Sequence, residues 1–195
     1  MSQSDAFESA AALVALEGDG VHDTTIEANW LFSSGGAVSL AALRNKAHDY
    51  YVMHLADAVH AIAVTEDDHL VLVRQFRAGS GRDSLETPAD CRNPERIPAV
   101  AGRALEETGY AGDPAVLVGT VWSVPSILTS RLATIVVTHA RRVAAPALDE
   151  TEEVSIELVP VAEVPRLIRE GRIDHALAVV GLLWWLGTRP GGLVM

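Results

Sequence analysis

The stretch that decides the fold is SLETPADCRNPERIPAVAGRALEETGYAGD, residues 84–113. Its second half predicts a helix over about residues 95–108, which ends at Gly109 because glycine adopts the left-handed conformation at low steric cost. Glu106 and Glu107 are adjacent near the C-terminal end of this helix, where the helix dipole disfavours negative charge. Two carboxylates in this place indicate either a solvated acidic helix end or a bound cation such as Mg²⁺ or Mn²⁺, which prefer oxygen ligands.

Apolar and β-branched runs on both sides of this stretch predict strands. Before it, the runs are TIEANWLFSS, AVSLAALRN, YYVMHLA and HAIAVTEDDHLVLVRQFR. The first two are separated by a turn at Gly35-Gly36, and the last folds into a hairpin at Glu66-Asp67-Asp68. After it, the runs are AVLVGTVWSV, LATIVVTHARRV and VSIELVPV.

The remaining segments predict a loop and two further helices. The loop contains Gly79, Gly81 and Pro88 and precedes the mid-chain helix. Near the C-terminus, a helical segment at 164–170 stops at Gly171, and Asp174 is the expected N-cap of HALAVVGLLWWL. Strands, a helix, more strands and further helices predict an α+β fold in which helices flank a mixed sheet.

Charge and composition exclude several classes of protein. The 195 residues carry a formal net charge of −11, which argues against nucleic-acid binding because that relies on Lys and Arg neutralising phosphates. The longest apolar stretch, residues 176–186, is too short to span a membrane. The acidic N-terminus lacks the positive region of a secretory signal, and Cys91 is the only cysteine. We therefore expect a cytoplasmic protein without an intramolecular disulfide. The seven histidines are scattered without metal-ligand spacing.

Two segments of the deciding stretch resemble the Nudix hydrolase family. Glu106-Glu107-Thr108-Gly109-Tyr110 matches the end of the family's signature box, and Glu86-Thr87-Pro88-Ala89 is similar to the segment that precedes it. The likeness to ADP-ribose pyrophosphatases continues, in the same order, through LVLVRQFR, GTVWSVPSILTS, DETEEVSIELVPVAEV and LIREGRIDHALAVVGLLWWL. It covers about residues 24–186.

This resemblance implies a Nudix fold, a mixed β-sheet sandwiched between helices, with an N-terminal strand extension. The implied organisation is a tail at 1–23, a strand region at 24–56 that forms a homodimer, a Nudix domain at 57–188 and a C-terminal tail at 189–195.

The resemblance also implies a metal site for Mg²⁺ or Mn²⁺. The Ala89 carbonyl and Glu107 match positions that bind metal in the family, while Glu106 and Glu86 match carboxylates that support the site. Arg77 matches an arginine that contacts the substrate.

Catalytic and adenine-binding residues are implied as well. The acidic loop at 147–153 matches the place of the general base, with Glu152 favoured and Glu153 and Glu150 beside it; a solvated hairpin turn is the alternative. Trp30 lies in a region that contributes an aromatic side chain to the adenine site of the other subunit, and a core or interface tryptophan is the alternative.

Three features depart from the family pattern. Asp90 replaces a glycine, the spacer that follows it is short, and Gly102-Arg103 replaces an Arg-Glu pair. The family glutamate at position 103 shares a helix face with the Glu-Glu pair, so Arg103 exchanges a negative ligand for a fixed positive charge. Two roles for Arg103 remain open: pairing with Glu106 or Glu107, and direct contact with the substrate diphosphate.

The resemblance implies a small-molecule substrate. The leading hypothesis is a hydrolase that cleaves the diphosphate of a nucleoside diphosphate linked to another moiety, such as ADP-ribose, a related dinucleotide or a nucleotide sugar. The alternatives are a catalytically impaired Nudix-fold module that binds nucleotides, and a biosynthetic Nudix enzyme with an atypical substrate.

Overall fold

The computed structural model describes residues 27–34, 38–44, 49–91, 105, 107–146 and 154–190, and no side chain before residue 50. The predicted turn at Gly35-Gly36, most of the predicted helix at 95–108 and the acidic loop at 147–153 lie outside the described residues.

The described residues form a series of strands followed by two short C-terminal helices. The strands are β1 (Glu27–Ser34), β2 (Val38–Arg44), β3 (Asp49–Leu55), β4 (Ala58–Thr65), β5 (His69–Arg77), β6 (Arg82–Glu86), β7 (Ala89–Cys91), β8 (Tyr110–Ala111), β9 (Val116–Trp122), β10 (Arg131–Arg142) and β11 (Val154–Pro160). A 3-10 turn at Val161–Glu163 leads into α1 (Val164–Arg169), and α2 (Ala176–Thr188) follows.

The chain divides into two compact units, of which the first contains Met1–Ala56 and Val124–Ser130. Its described strands form an antiparallel sheet in the order β1-β2-β3. The segment Val124–Ser130 joins this unit through hydrogen bonds such as Met53 N–H to the Ile127 carbonyl, 2.8 Å. The strands predicted in this part of the sequence are confirmed.

The second unit contains Asp57–Ser123 and Arg131–Met195. Its described strands form an eight-stranded sheet in the order β11-β5-β4-β10-β8, with β6 added to β5, β7 to β4 and β9 to β10. Strand β10 runs parallel to β4, whereas its pairing with β9 and the pairing of β4 with β5 are antiparallel. The sheet is therefore mixed, and the α+β fold class predicted from the sequence is confirmed.

Successive side chains of a strand point to opposite faces of the sheet, and in the central strands the residues on both faces are buried. On one face, Ile62 and Leu72 pack with Leu167 of α1 and Trp185 of α2. On the other face, a second apolar cluster includes Leu105, the helical residue described from the predicted mid-chain helix. The arrangement explains why β4 and β5 read as nearly continuous apolar runs.

Gly109 adopts the left-handed conformation predicted for it, with φ of +72°. The Thr108 N–H donates to the Leu105 carbonyl at 2.9 Å just before it. A Cβ at position 109 would lie 2.4 Å from the Ala144 carbonyl oxygen, so glycine satisfies both the backbone angle and the close approach.

Two local predictions are wrong. The loop expected around Gly79, Gly81 and Pro88 contains β6 and β7, which pair with β5 and β4; with five and three residues, these strands are too short to show a clear periodicity of their own. The N-cap of α2 is His175 and not Asp174, whose carboxylate pairs with Arg82 of β6.

Candidate functional site

The most buried carboxylate among the described residues belongs to Glu86, at the end of β6, whose side chain is 2% exposed. Arg77, at the end of β5, donates from Nε to Glu86 Oε1 at 2.7 Å. His175, at the start of α2, places Nδ1 3.3 Å from Glu86 Oε2. A buried carboxylate is costly unless it is paired, so these two basic groups compensate it. We call Arg77, Glu86 and His175 the Glu86 cluster.

The Glu86 cluster fixes the direction of Arg77. The Arg77 side chain is 42% exposed, whereas its partner is buried. A guanidinium has five N–H donors in a planar fork, and the Nε donor points inward to Glu86. One edge of the fork is thus anchored in the protein, and the side chain remains half exposed for an anionic ligand.

Residues 86–89, predicted from the sequence to carry metal-site groups, are held by β5 at Glu86 and by β4 at Pro88 and Ala89. The Ala61 N–H donates to the Pro88 carbonyl at 2.9 Å, and Ala89 pairs with His60 across β7 and β4. Thr87 is buried. Backbone pairing with Val73 of β5 therefore positions Glu86, and pairing with β4 positions Ala89.

His60 of β4 is a site residue that the sequence pattern did not single out. Its side chain is 2% exposed, and its ring nitrogens Nδ1 and Nε2 each lie 2.7 Å from a hydroxyl, of Thr87 and Thr134 respectively. Burial, and secondly the nearby charge of His175, lower the pKa of His60 from 6.5 to about 4. The ring is therefore neutral at pH 7. The available signal was one polar residue inside the apolar run AVHAIAV.

A second charged pair lies across β5 and β11. Arg74 donates from Nε to Glu157 Oε1 at 2.5 Å. An open depression of about 310 Å³ adjoins this pair, lined by Arg74, Gln75, Phe76, Asp83, Val154 and Ser155. Val154 is the first described residue after the acidic loop, so this depression lies where that loop returns to the sheet.

The other residues predicted for the site are placed only in part. Glu107 lies, partly buried, in the turn before Gly109. The backbone of Trp30 is in β1, and its side chain is outside the described part of the chain. Arg103, Glu106, Glu152 and Glu153 lie outside the described residues. The roles of all these residues stay predictions.

The Glu86 cluster also tests whether the described residues fit a metal ion. Over the described ranges, no three side chains of His, Cys, Asp or Glu come together as a metal site. Both Glu86 oxygens face basic groups, which fits a supporting carboxylate better than a direct ligand. The described donors do not by themselves make up a metal site.

Comparison with known proteins gives a structural match. No protein-family model matches this chain, and no curated protein matches it in sequence. The chain is similar to the crystal structure of an ADP compounds hydrolase, with a TM-score of 0.71 and 20% identity over 87% of this chain and 97% of that one. At this identity the match shows the fold, which is Nudix-like as predicted. None of the helices in the described ranges is long and apolar enough to cross a membrane.

Proposed function

We propose that this chain hydrolyses the diphosphate of a nucleoside diphosphate linked to another moiety, such as ADP-ribose, a related dinucleotide or a nucleotide sugar. The observation that carries the proposal is the half-exposed Arg77 anchored on buried Glu86. The fold in which this pair stands is similar to that of an ADP compounds hydrolase.

Arg77 would bind the substrate diphosphate. Guanidinium groups form strong, often bidentate hydrogen bonds to phosphate oxygens. The chain carries a net charge of −11, so an anionic substrate requires a local positive group. Glu86 accepts the Nε hydrogen bond and thereby orients the fork before the substrate arrives, which lowers the entropic cost of binding.

The remaining groups follow from the sequence resemblance. Mg²⁺ or Mn²⁺, when held by Glu106, Glu107 and the Ala89 carbonyl with Glu86 in support, would neutralise charge on the diphosphate. Glu152, or Glu153 beside it, would accept a proton from the attacking water. The water oxygen bonds to one phosphorus, the bridging P–O bond breaks, and two phosphomonoesters result.

The direct test is product release by the purified full-length chain. With Mg²⁺ or Mn²⁺ present, we expect AMP from ADP-ribose, NADH or an ADP-linked sugar. Arg77→Lys should lower kcat/KM about 10- to 100-fold, because it keeps the charge and loses the fork. Arg166→Lys is the matched control, since Arg166 pairs with Glu163 and Glu170 at the surface. Failure of the wild-type chain to release AMP from all these substrates would refute the proposal.

A nucleotide-binding module without turnover is the second candidate. Gly102-Arg103 favours it, because the substitution removes a carboxylate and adds a positive charge where the family holds metal. ADP-ribose would then bind without AMP release. The double change Gly102→Arg and Arg103→Glu would restore hydrolysis, which calorimetry and product analysis on the same samples would detect.

A further inference from the structure

His60 links the segment at 86–89 to the interior of the second unit. Its imidazole contacts the hydroxyls of Thr87 and Thr134, both at 2.7 Å. The three side chains are almost fully buried, with exposures of 2%, 3% and 1%. Thr87 directly follows Glu86 in the sequence. The buried ring of His60 therefore contacts the residue that directly follows Glu86, the carboxylate that anchors Arg77.

Both ring nitrogens of His60 have a threonine hydroxyl as partner, a group that can donate and accept a hydrogen bond. A neutral imidazole has one N–H donor and one acceptor nitrogen. One threonine hydroxyl therefore accepts from the ring and the other donates to it, in either tautomer. The Thr87 hydroxyl holds the Nδ1 edge of the ring, and the Thr134 hydroxyl of β10 holds the Nε2 edge.

Helix α2 packs against the same ring. A Cβ at Gly181 would lie 2.2 Å from His60 Cε1 and 2.4 Å from Nε2, so the helix backbone approaches the imidazole closely. His175 is the N-cap of the same helix, and its Nδ1 faces Glu86. His60 therefore packs against α2, and Glu86 contacts the N-cap residue of the same helix.

We propose that His60 is a positioning residue for the candidate site: through Thr87 it fixes residues 86–89, and with them the Glu86 carboxylate that orients Arg77. This inference rests on the proposed function. The backbone of the segment pairs with Val73 of β5 at Glu86 and with β4 at Pro88 and Ala89. The bond from His60 to Thr87 adds a side-chain restraint between these two anchoring strands. The bond to Thr134 holds the far edge of the ring and does not touch the segment.

Two matched substitutions separate positioning from stability. Thr87→Val and Thr134→Val keep the shape of the side chain, and each removes one buried hydrogen bond to the same imidazole. We expect both to lower Tm by similar amounts. Only Thr87→Val should lower kcat for AMP release, by about tenfold, the size of effect typical of residues that orient a functional group through a hydrogen bond. The kcat of Thr134→Val should remain near that of the wild type.

A readout that does not need turnover is the Arg77 Nε–H resonance in ¹H–¹⁵N spectra. This proton is hydrogen bonded to Glu86, so its chemical shift and solvent exchange report the geometry of the Glu86 cluster. Thr87→Val should shift the resonance and speed its exchange, and Thr134→Val should leave it in place.

If Thr87→Val does not fold, His60→Asn and His60→Gln replace the pair, because Asn keeps a polar atom near Nδ1 and Gln keeps one near Nε2. His60→Asn should then retain the wild-type resonance and His60→Gln should not.

The outcomes distinguish this inference from the proposed function. If the two threonine variants change the resonance and kcat equally, or neither changes them, His60 is a structural residue and the inference is wrong. If the wild-type chain releases no AMP while the resonance responds only to Thr87→Val, the proposed hydrolysis is wrong and the positioning role stands.

Discussion

At the scale of single residues, Glu86 is the most buried carboxylate among the described residues, and its charge is compensated. Its side chain is 2% exposed, and its two oxygens face Arg77 and His175. Removing one partner of a buried pair leaves a charge without compensation, which costs more than the pair itself contributes. Removing one partner of an exposed pair costs little, because water replaces it.

We therefore expect Arg77→Met to lower the free energy of unfolding by about 2–3 kcal/mol, less than for a fully buried pair because Arg77 is half exposed. Arg166→Met is the control, because Arg166 and its partners Glu163 and Glu170 are all about half exposed; it should cost less than about 1 kcal/mol. Urea unfolding at pH 7 measures both values. Equal losses would mean that burial of Glu86 adds nothing to its pairing.

His60 makes stability depend on pH. Its pKa is about 4 in the folded chain, lowered first by burial and then by His175, against an ordinary value near 6.5. Below pH 6.5 the unfolded chain takes up a proton that the folded chain refuses, so protonation favours unfolding. The loss begins as the pH falls through about 6.5 and is complete below about 4, where it reaches about 3 kcal/mol.

His60→Gln tests this effect, because it removes the imidazole whose pKa is lowered. We expect the stability gap between wild type and variant to narrow as the pH falls from 7 to 4. Urea midpoints at intervals of one pH unit measure it. A constant gap would show that His60 is not buried as a neutral ring.

At the scale of elements, α2 depends on a close approach to β4. Gly181→Ala would place a methyl group 2.2 Å from His60 Cε1, so the helix must shift or the ring must move. Overpacking of this kind costs about 1–3 kcal/mol. Gly187, in the same helix, has nothing within 4 Å of its Cβ position, and Gly187→Ala should leave stability unchanged or raise it by up to about 1 kcal/mol. Thermal unfolding of the two variants gives the comparison; equal shifts would contradict the close approach.

At the scale of the whole molecule, the sequence resemblance predicts a homodimer formed through residues 24–56. Sedimentation equilibrium should give twice the 20.8 kDa mass of one chain. A mass of 20.8 kDa at micromolar concentration would contradict the prediction.

The dimer prediction also places Trp30 in the site of the other subunit. Trp30→Ala and Arg77→Met should each be weakly active alone, and subunit exchange between them should restore AMP release, because one site of a mixed dimer would contain both native residues. If the activity of the mixture equals the mean of the two variants, Trp30 does not act across the interface.

The sequence by itself determined the sheet and its class, because apolar periodicity is a local property. The apolar runs of β4, β5, β9, β10 and β11 predict strands without any tertiary contact. The left-handed conformation at position 109 is predicted by the glycine there. The Nudix-like fold followed from the order of these runs together with the resemblance around Glu106 and Glu107.

Only the tertiary structure decided which polar groups meet. Arg77 and Glu86 were each named from the sequence, but their hydrogen bond and the approach of His175 were not. His60 meets a threonine 74 residues away, and β6 and β7 exist through their pairing with β5 and β4. The physical reason is that periodicity reports whether a side chain faces the core, whereas the partner of a buried polar group depends on which distant strands and helices pack around it.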